Sequence, residues 1–194
     1  MNKAIFIDKD GTLIPDIPYN TDPAKIRFND HVADALYRLS IEGYLLIVIS
    51  NQPGVAKGLF TEDKLDLVTE KLQALADQHK FTFNGFYYCM HDENAACTCR
   101  KPLPGLILKA SSFLDIDKQQ SWMIGDILND VEAGNRAGCK TMLIDNGGET
   151  EWKISQERIP DFICHDLRTG MHHIIHDPAS RIPLPGQAHH AIRS

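Results

Sequence analysis

Short runs of consecutive apolar residues alternate along this chain with longer stretches of helical period. Residues 3–8 are apolar up to Asp8, the pattern of a strand buried on both faces. Residues 11–29 carry three prolines and no sustained period, so they read as loop. Asp30 then stands as N-cap of a helix over 31–42, with Val32, Ala35, Leu36 and Leu39 on one face and Gly43 as its stop. A second buried strand is expected at 44–49. After a loop at 50–54, Thr61 caps a helix over 62–79 with Leu65, Val68, Leu72 and Leu75 inward. Residues 85–89 read as a third strand. Pro104 opens a third helix reaching about Leu114, since proline suits the first helical turn. Strands at 121–125 and 140–145 bracket a helix over 129–137 that stops at Gly138, and a strand at 161–164 and a helix at 166–175 follow.

Strands alternating with helices at this spacing predict an α/β fold, a doubly wound parallel sheet covered on both sides. Neither a repeat nor a linker divides it, so one domain is expected over 1–176, with an irregular tail over 177–194. A chain of 194 residues buries roughly 70% of its unfolded surface and needs no disulfides. Apolar residues make up 43% and charged residues 24%, the mix of a globular protein. The net charge of -6, without long basic runs, argues against nucleic acid as a partner. No apolar run approaches a membrane helix, and the short apolar start is followed at once by Asp-Lys-Asp, unlike a signal peptide. The expectation is a cytoplasmic protein. Monomer is the default, because no amphipathic or heptad surface is left spare.

The polar residues cluster at strand ends. Asp8 and Asp10 close the first strand, Ser50 and Asn51 the second, and Asp126 the fourth; Arg100 and Lys101 lie just before the third helix. In a doubly wound sheet, ligands bind in the crevice outside the carboxyl ends of the strands. Asp8, Asp10 and Asp126 can hold a hard cation such as Mg²⁺. Ser50 and Lys101 can neutralise phosphoryl oxygens. A carboxylate beside such a group can attack it, and a second can move the proton. Strand alternation points residues i and i+2 the same way, which suits Asp8 and Asp10, and Gly11 then lets the backbone turn.

Asp8-Lys9-Asp10-Gly11-Thr12, Ser50-Asn51-Gln52, Lys101-Pro102 and Gly125-Asp126 with Asp130 together resemble the four motifs of the haloacid-dehalogenase superfamily, subfamily IIIA, over about residues 1–145. The resemblance implies a Rossmann-like core and a phosphoric monoester hydrolase. It makes Asp8 the nucleophile and Asp10 the general acid/base. Asp8, the Asp10 backbone carbonyl and Asp126 would ligate Mg²⁺, Ser50 and Lys101 would bind the phosphoryl group, and Asp130 would sit just outside, supporting the metal's waters.

Cys89-Met90-His91 and Cys97-Thr98-Cys99 bring four soft or borderline ligands together in eleven residues. Such a set closes a tetrahedral Zn²⁺ site with no position left for water, so the zinc is structural. It would order a loop poor in apolar residues and fix Arg100 and Lys101, the next residues along. Cys139 and Cys164 read as core. Six of nine histidines lie in 165–194, at spacings that match no tight metal site.

About 20 residues separate the first strand from the first helix, too few for a folded cap domain. The site is expected to be open, walled by loops 11–29, 50–60 and 89–102. Its candidate substrate contacts are Asp16, Tyr19, Asn51, Gln52, Lys57 and Arg100, and the substrate is a small phosphorylated metabolite. Within the superfamily, the short chain, the zinc loop and residues 50–58 resemble the heptose bisphosphate phosphatases of cell-surface glycan synthesis, with histidinol-phosphate phosphatases as near relatives. Lys57 stands where the heptose enzymes often have Arg, and Ile127 where some members have Lys. An inactive binding module is disfavoured by the intact Asp8, Asp10, Lys101 and Asp126. A polynucleotide 3′-phosphatase is disfavoured by the charge.

Overall fold

The computed structural model describes residues 1–176; the expected tail at 177–194 lies outside the described residues. Six strands form one sheet: β1 (Lys3–Ile7), β2 (Tyr44–Asn51), β3 (Gly85–Cys89), β4 (Trp122–Gly125), β5 (Lys140–Ile144) and β6 (Phe162–Cys164). Five α-helices connect or follow them: α1 (Val32–Ile41), α2 (Glu62–Gln78), α3 (Gly105–Phe113), α4 (Leu128–Ala137) and α5 (Leu167–His176). All pairings are parallel and the order is β3-β2-β1-β4-β5-β6. The chain winds outward from β1 to β3, then crosses back to add β4 on the other side. The switch point lies between β1 and β4, and the crevice for a ligand opens there.

Alternation along β1 explains the two cores. Ile5 and Ile7 face one side, with side chains of α1, α2 and α5. Ala4 and Phe6 face the other, with α3 and α4. The central strands are buried on both faces, hence their unbroken apolar runs. Between β1 and α1 there is only a short 3-10 turn, Pro23–Lys25. Asp30 does not cap α1. His31 takes the N-cap position with φ 65°, and no side chain bonds there. Thr61 does occupy the N-cap of α2 but makes no capping bond. No helix among the described residues is long and apolar enough to cross a membrane.

Candidate active site

Asp8, Asp10, Asp16, Ser50, Lys101 and Asp126 all line one cleft of about 210 Å³ at the switch point. Asp8 and Asp10 reach it without strand alternation, because β1 ends at Ile7. The Asp8 amide continues the ladder by donating to the Ile124 carbonyl at 2.9 Å, and the chain then turns. Gly11, at φ 86°, makes that turn possible. A Cβ there would also overlap the Asp126 carboxylate. Asn29 and Asn146 hold the turn from outside: Asn29 Nδ2 donates to the Thr12 carbonyl at 3.0 Å and Asn146 Nδ2 to the Gly11 carbonyl at 2.8 Å. Thr12 Oγ1 donates to Asp126 Oδ1 at 2.8 Å.

Lys101 is the buried centre of the cleft. Its ammonium contacts the Asp8 carboxylate, lies 2.5 Å from Asp130 Oδ1, and donates to the Ile49 carbonyl at 3.0 Å. Asp130 lies behind the cleft lining, against Lys101. It is fully buried and paired with Lys101, and its carboxylate clusters with those of Asp8 and Asp126. Burial pushes the Asp8 carboxyl up to about 7, with the nearby Asp130 and Asp10 carboxylates adding to it and Lys101 opposing. Burial and the Asp8 carboxylate raise Asp126 to about 6. Burial also raises Asp130. For Lys101 burial works against the charge, but Asp130 and Asp8 outweigh it and hold its pKa above the ordinary lysine value.

Several residues expected to touch substrate also bond within the protein. Asn51 reaches the cleft, but its amide holds Lys101: Nδ2 donates to the Lys101 carbonyl, and the Lys101 N–H donates to Oδ1, each at 3.0 Å. Gln52 Nε2 donates to Asp10 Oδ2 and to Ser50 Oγ, each at 2.9 Å, and so orients both. Buried Lys9 holds the other Asp10 oxygen at 2.9 Å. Arg100 does not line the cleft; its Nη1 donates to the His91 carbonyl at 3.4 Å. Lys57 and Tyr19 do not line the cleft either; they meet each other, with Nζ 3.4 Å from the Tyr19 hydroxyl and 4.0 Å from Glu93.

A family profile described as HAD-hydrolase-like matches residues 98–170. The D-glycero-beta-D-manno-heptose-1,7-bisphosphate 7-phosphatase of Haemophilus influenzae is 39% identical over 155 residues, 77% of this chain and 84% of that protein. Its namesake from Pasteurella multocida is 41% identical over 76% of this chain and 84% of its own length. Among solved structures, the D,D-heptose 1,7-bisphosphate phosphatase of B. bronchiseptica, complexed with magnesium and phosphate, matches with TM-score 0.77 and 26% identity. That match covers 89% of this chain and 98% of the other. This chain belongs to the haloacid-dehalogenase-like phosphatase family.

Two groups of side chains in this phosphatase fit metals. The carboxylate oxygens of Asp8, Asp126 and Asp130 lie within 4.8 Å of one another. Three buried carboxylates face one ammonium there, an excess of two negative charges that suits a divalent cation with oxygen ligands. Cys89, His91, Cys97 and Cys99 form the second group. Cys89 Sγ is 3.9 Å from Cys97 Sγ and 3.2 Å from Cys99 Sγ, and tetrahedral sulfur ligands about 2.3 Å from zinc stand roughly 3.8 Å apart, so the first pair has that spacing and the second is tighter. Burial, then the contact with Cys99, pushes the Cys89 thiol up to about 12, so a bound cation would be needed to ionise it at neutral pH. The same loop is tied down by the Gln52 N–H donating to the Cys89 carbonyl at 2.7 Å and the Gly105 N–H to the Thr98 carbonyl at 3.1 Å.

The sequence reading missed Thr12, Asn29, Asn146 and Glu149 as parts of the site. Asp-Asn-Gly-Gly-Glu directly after an apolar strand was the available signal for the last two.

Proposed function

We propose that this phosphatase removes one phosphate from a sugar bisphosphate through a phospho-aspartate on Asp8, with D-glycero-D-manno-heptose 1,7-bisphosphate as the substrate and its 1-phosphate as the product. The charge balance of the cleft carries the reading: three buried carboxylates against one buried ammonium, beside Ser50, in the crevice of the switch point. The names of the relatives support the substrate, and the magnesium and phosphate of the B. bronchiseptica enzyme support the chemistry.

In this reading an Asp8 oxygen attacks phosphorus and the bond to the sugar oxygen breaks. The departing alkoxide takes a proton from the Asp10 carboxyl, which Lys9 and Gln52 hold in place. Asp10 then takes a proton from water, whose oxygen attacks phosphorus and frees Asp8. Ser50 and the Lys101 ammonium receive phosphoryl oxygens. Asp8, the Asp10 carbonyl and Asp126 are the residues that would hold Mg²⁺, with Asp130 in the same cluster through Lys101. Mg²⁺ bound there supplies positive charge to the phosphoryl oxygens. Cys89, His91, Cys97 and Cys99 would hold a structural Zn²⁺ that fixes the loop carrying Lys101. Asp16 in the cleft, and Tyr19 and Lys57 beyond its lining, are the substrate contacts, with Lys57 the cation for the second phosphate; Arg100, bonded to the His91 carbonyl, serves the zinc loop instead.

One folded domain, a monomer in the cytoplasm, completes the proposal; its unpaired cysteines suit a reducing compartment. The test is a panel of phosphate monoesters assayed with Mg²⁺, including both heptose bisphosphate anomers and histidinol phosphate. The heptose bisphosphate should give the highest kcat/KM. A preference for histidinol phosphate would overturn the substrate assignment and leave the phosphatase chemistry in place.

A further inference from the structure

The loop after β5 passes directly over Asp126 and is fastened on both sides of it. On one side Asn146 Nδ2 donates to the Gly11 carbonyl at 2.8 Å, tying the loop to the turn that follows Asp8. On the other, Glu149 Oε2 accepts from the Leu128 N–H at 2.7 Å, at the first residue of α4 and two residues beyond Asp126. Within the loop, Asn146 Oδ1 accepts from the Gly148 N–H at 3.0 Å, so one amide sets both the tether and the bend. Gly148 lines the cleft, and a Cβ built on it would overlap Asp126 Oδ2. A Cβ at Gly11 would overlap the same carboxylate, so Asp126 is accommodated by two glycines.

Asp126 is thus wedged. Thr12 Oγ1 holds Oδ1, while Oδ2 occupies the space that a side chain at position 148 would fill. A carboxylate this constrained keeps its oxygen facing Asp8 and Asp130. We propose that Asn146 and Gly148 are positioning residues for Asp126, and that the loop after β5 sets the affinity of the Asp8–Asp126–Asp130 cluster for its divalent cation. The proposal rests on the reading that this cluster holds Mg²⁺. Neither residue has a charge to offer the cation or a proton to offer the reaction; each acts through where Asp126 stands. Groups that orient a metal ligand from behind typically matter 10–100-fold in affinity.

The test is calorimetric titration of Mg²⁺ into the full-length protein, freed of Mg²⁺ by gel filtration, for wild type, Asn146→Ala and Gly148→Ala. Circular dichroism checks folding, and Asn146→Ala, on an exposed loop, carries the test where Gly148→Ala does not fold. The expected result is a Kd for Mg²⁺ weakened about tenfold or more. The Mg²⁺ concentration for half-maximal turnover should shift alike, and kcat should recover at saturating Mg²⁺. Wild-type affinity in both variants, or a kcat loss with unchanged Mg²⁺ affinity, overturns the positioning role. Wild-type protein that takes up no Mg²⁺ overturns the metal reading as well, so the two failures are told apart.

Discussion

Asn51 grips Lys101 by both main-chain polar atoms, accepting from its N–H and donating to its carbonyl at 3.0 Å each. The last residue of β2 thereby fixes a lysine that lies in another loop, two residues beyond Cys99 of the Cys/His cluster. Asn51→Ala removes both bonds and lets the ammonium drift from Asp8. Displacement of a reacting group by about 1 Å costs on the order of 10²-fold in rate. Steady-state kinetics should show that loss mainly in kcat, with Mg²⁺ affinity little changed. Full activity in Asn51→Ala would contradict the latch.

Asp8→Asn keeps size and hydrogen bonding but has no nucleophilic oxygen of carboxylate strength, so turnover should fall to background. Asp10→Asn should be slower by about 10²–10⁴-fold, the usual worth of a general acid/base. A burst of sugar release followed by slow phosphate release would mark it as failing in the second step as well.

The buried carboxylates make metal and pH interdependent. Without metal, Asp8 holds its proton up to about 7 and Asp126 up to about 6, chiefly because burial penalises their charge. In the unfolded chain both ionise near 3.9. The native state therefore binds more protons between those values, and these groups contribute stability at low pH that is lost as pH rises through about 6 to 7. Mg²⁺ should restore it, raising stability by about 2.7 kcal/mol at 100 times its Kd. Thermal melts at pH 5 and pH 8 should show a larger Mg²⁺-dependent rise at pH 8, and Asp8→Asn should reduce that difference. An equal rise at both pH values would count against this electrostatic account.

The zinc prediction is stoichiometric. Elemental analysis after dialysis should find about one Zn²⁺ per chain, as one closed four-ligand site requires. Cys97→Ser should lower zinc retention and raise KM for phosphate esters, because the loop that presents Lys101 loosens. Reduced protein free of zinc but fully active would remove the site's role.

At the rim, Lys57→Ala should raise KM for the bisphosphate about tenfold, the worth of one charge-assisted hydrogen bond. A small monophosphate should be nearly unaffected. Arg100→Ala should disturb zinc retention rather than the second phosphate, since its guanidinium bonds the His91 carbonyl.

The sheet was legible because parallel strands buried on both faces are written as unbroken apolar runs, and Gly43 and Gly138 mark real helix ends, each with φ 85°. The motif residues were legible because they sit at strand ends. What sequence could not supply was side-chain direction across loops. Asp30 has the right identity for a cap, yet the chain goes left-handed at His31 and leaves Asp30 exposed. The family resemblance places Asp130 just outside the metal, and its pairing with Lys101 joins residues far apart in sequence that no local pattern links. Asn51 and Gln52 are expected at the substrate; Asn51 does line the cleft, and what sequence did not supply is that the two amides also hold Lys101, Asp10 and Ser50. Asn146 and Glu149 carry only the weak signal of a glycine-flanked turn after a strand, and the return of the β5 loop over Asp126 gives them a role.

The phospho-aspartate itself is the most direct test. Enzyme turning over heptose bisphosphate with Mg²⁺ is quenched in acid, reduced with borohydride, digested and mapped by mass spectrometry. An acyl phosphate is reduced to the alcohol, so the account predicts homoserine at position 8 in the quenched enzyme and none in enzyme without substrate. Turnover with position 8 unmodified, or phosphate found instead on Ser50, would contradict it.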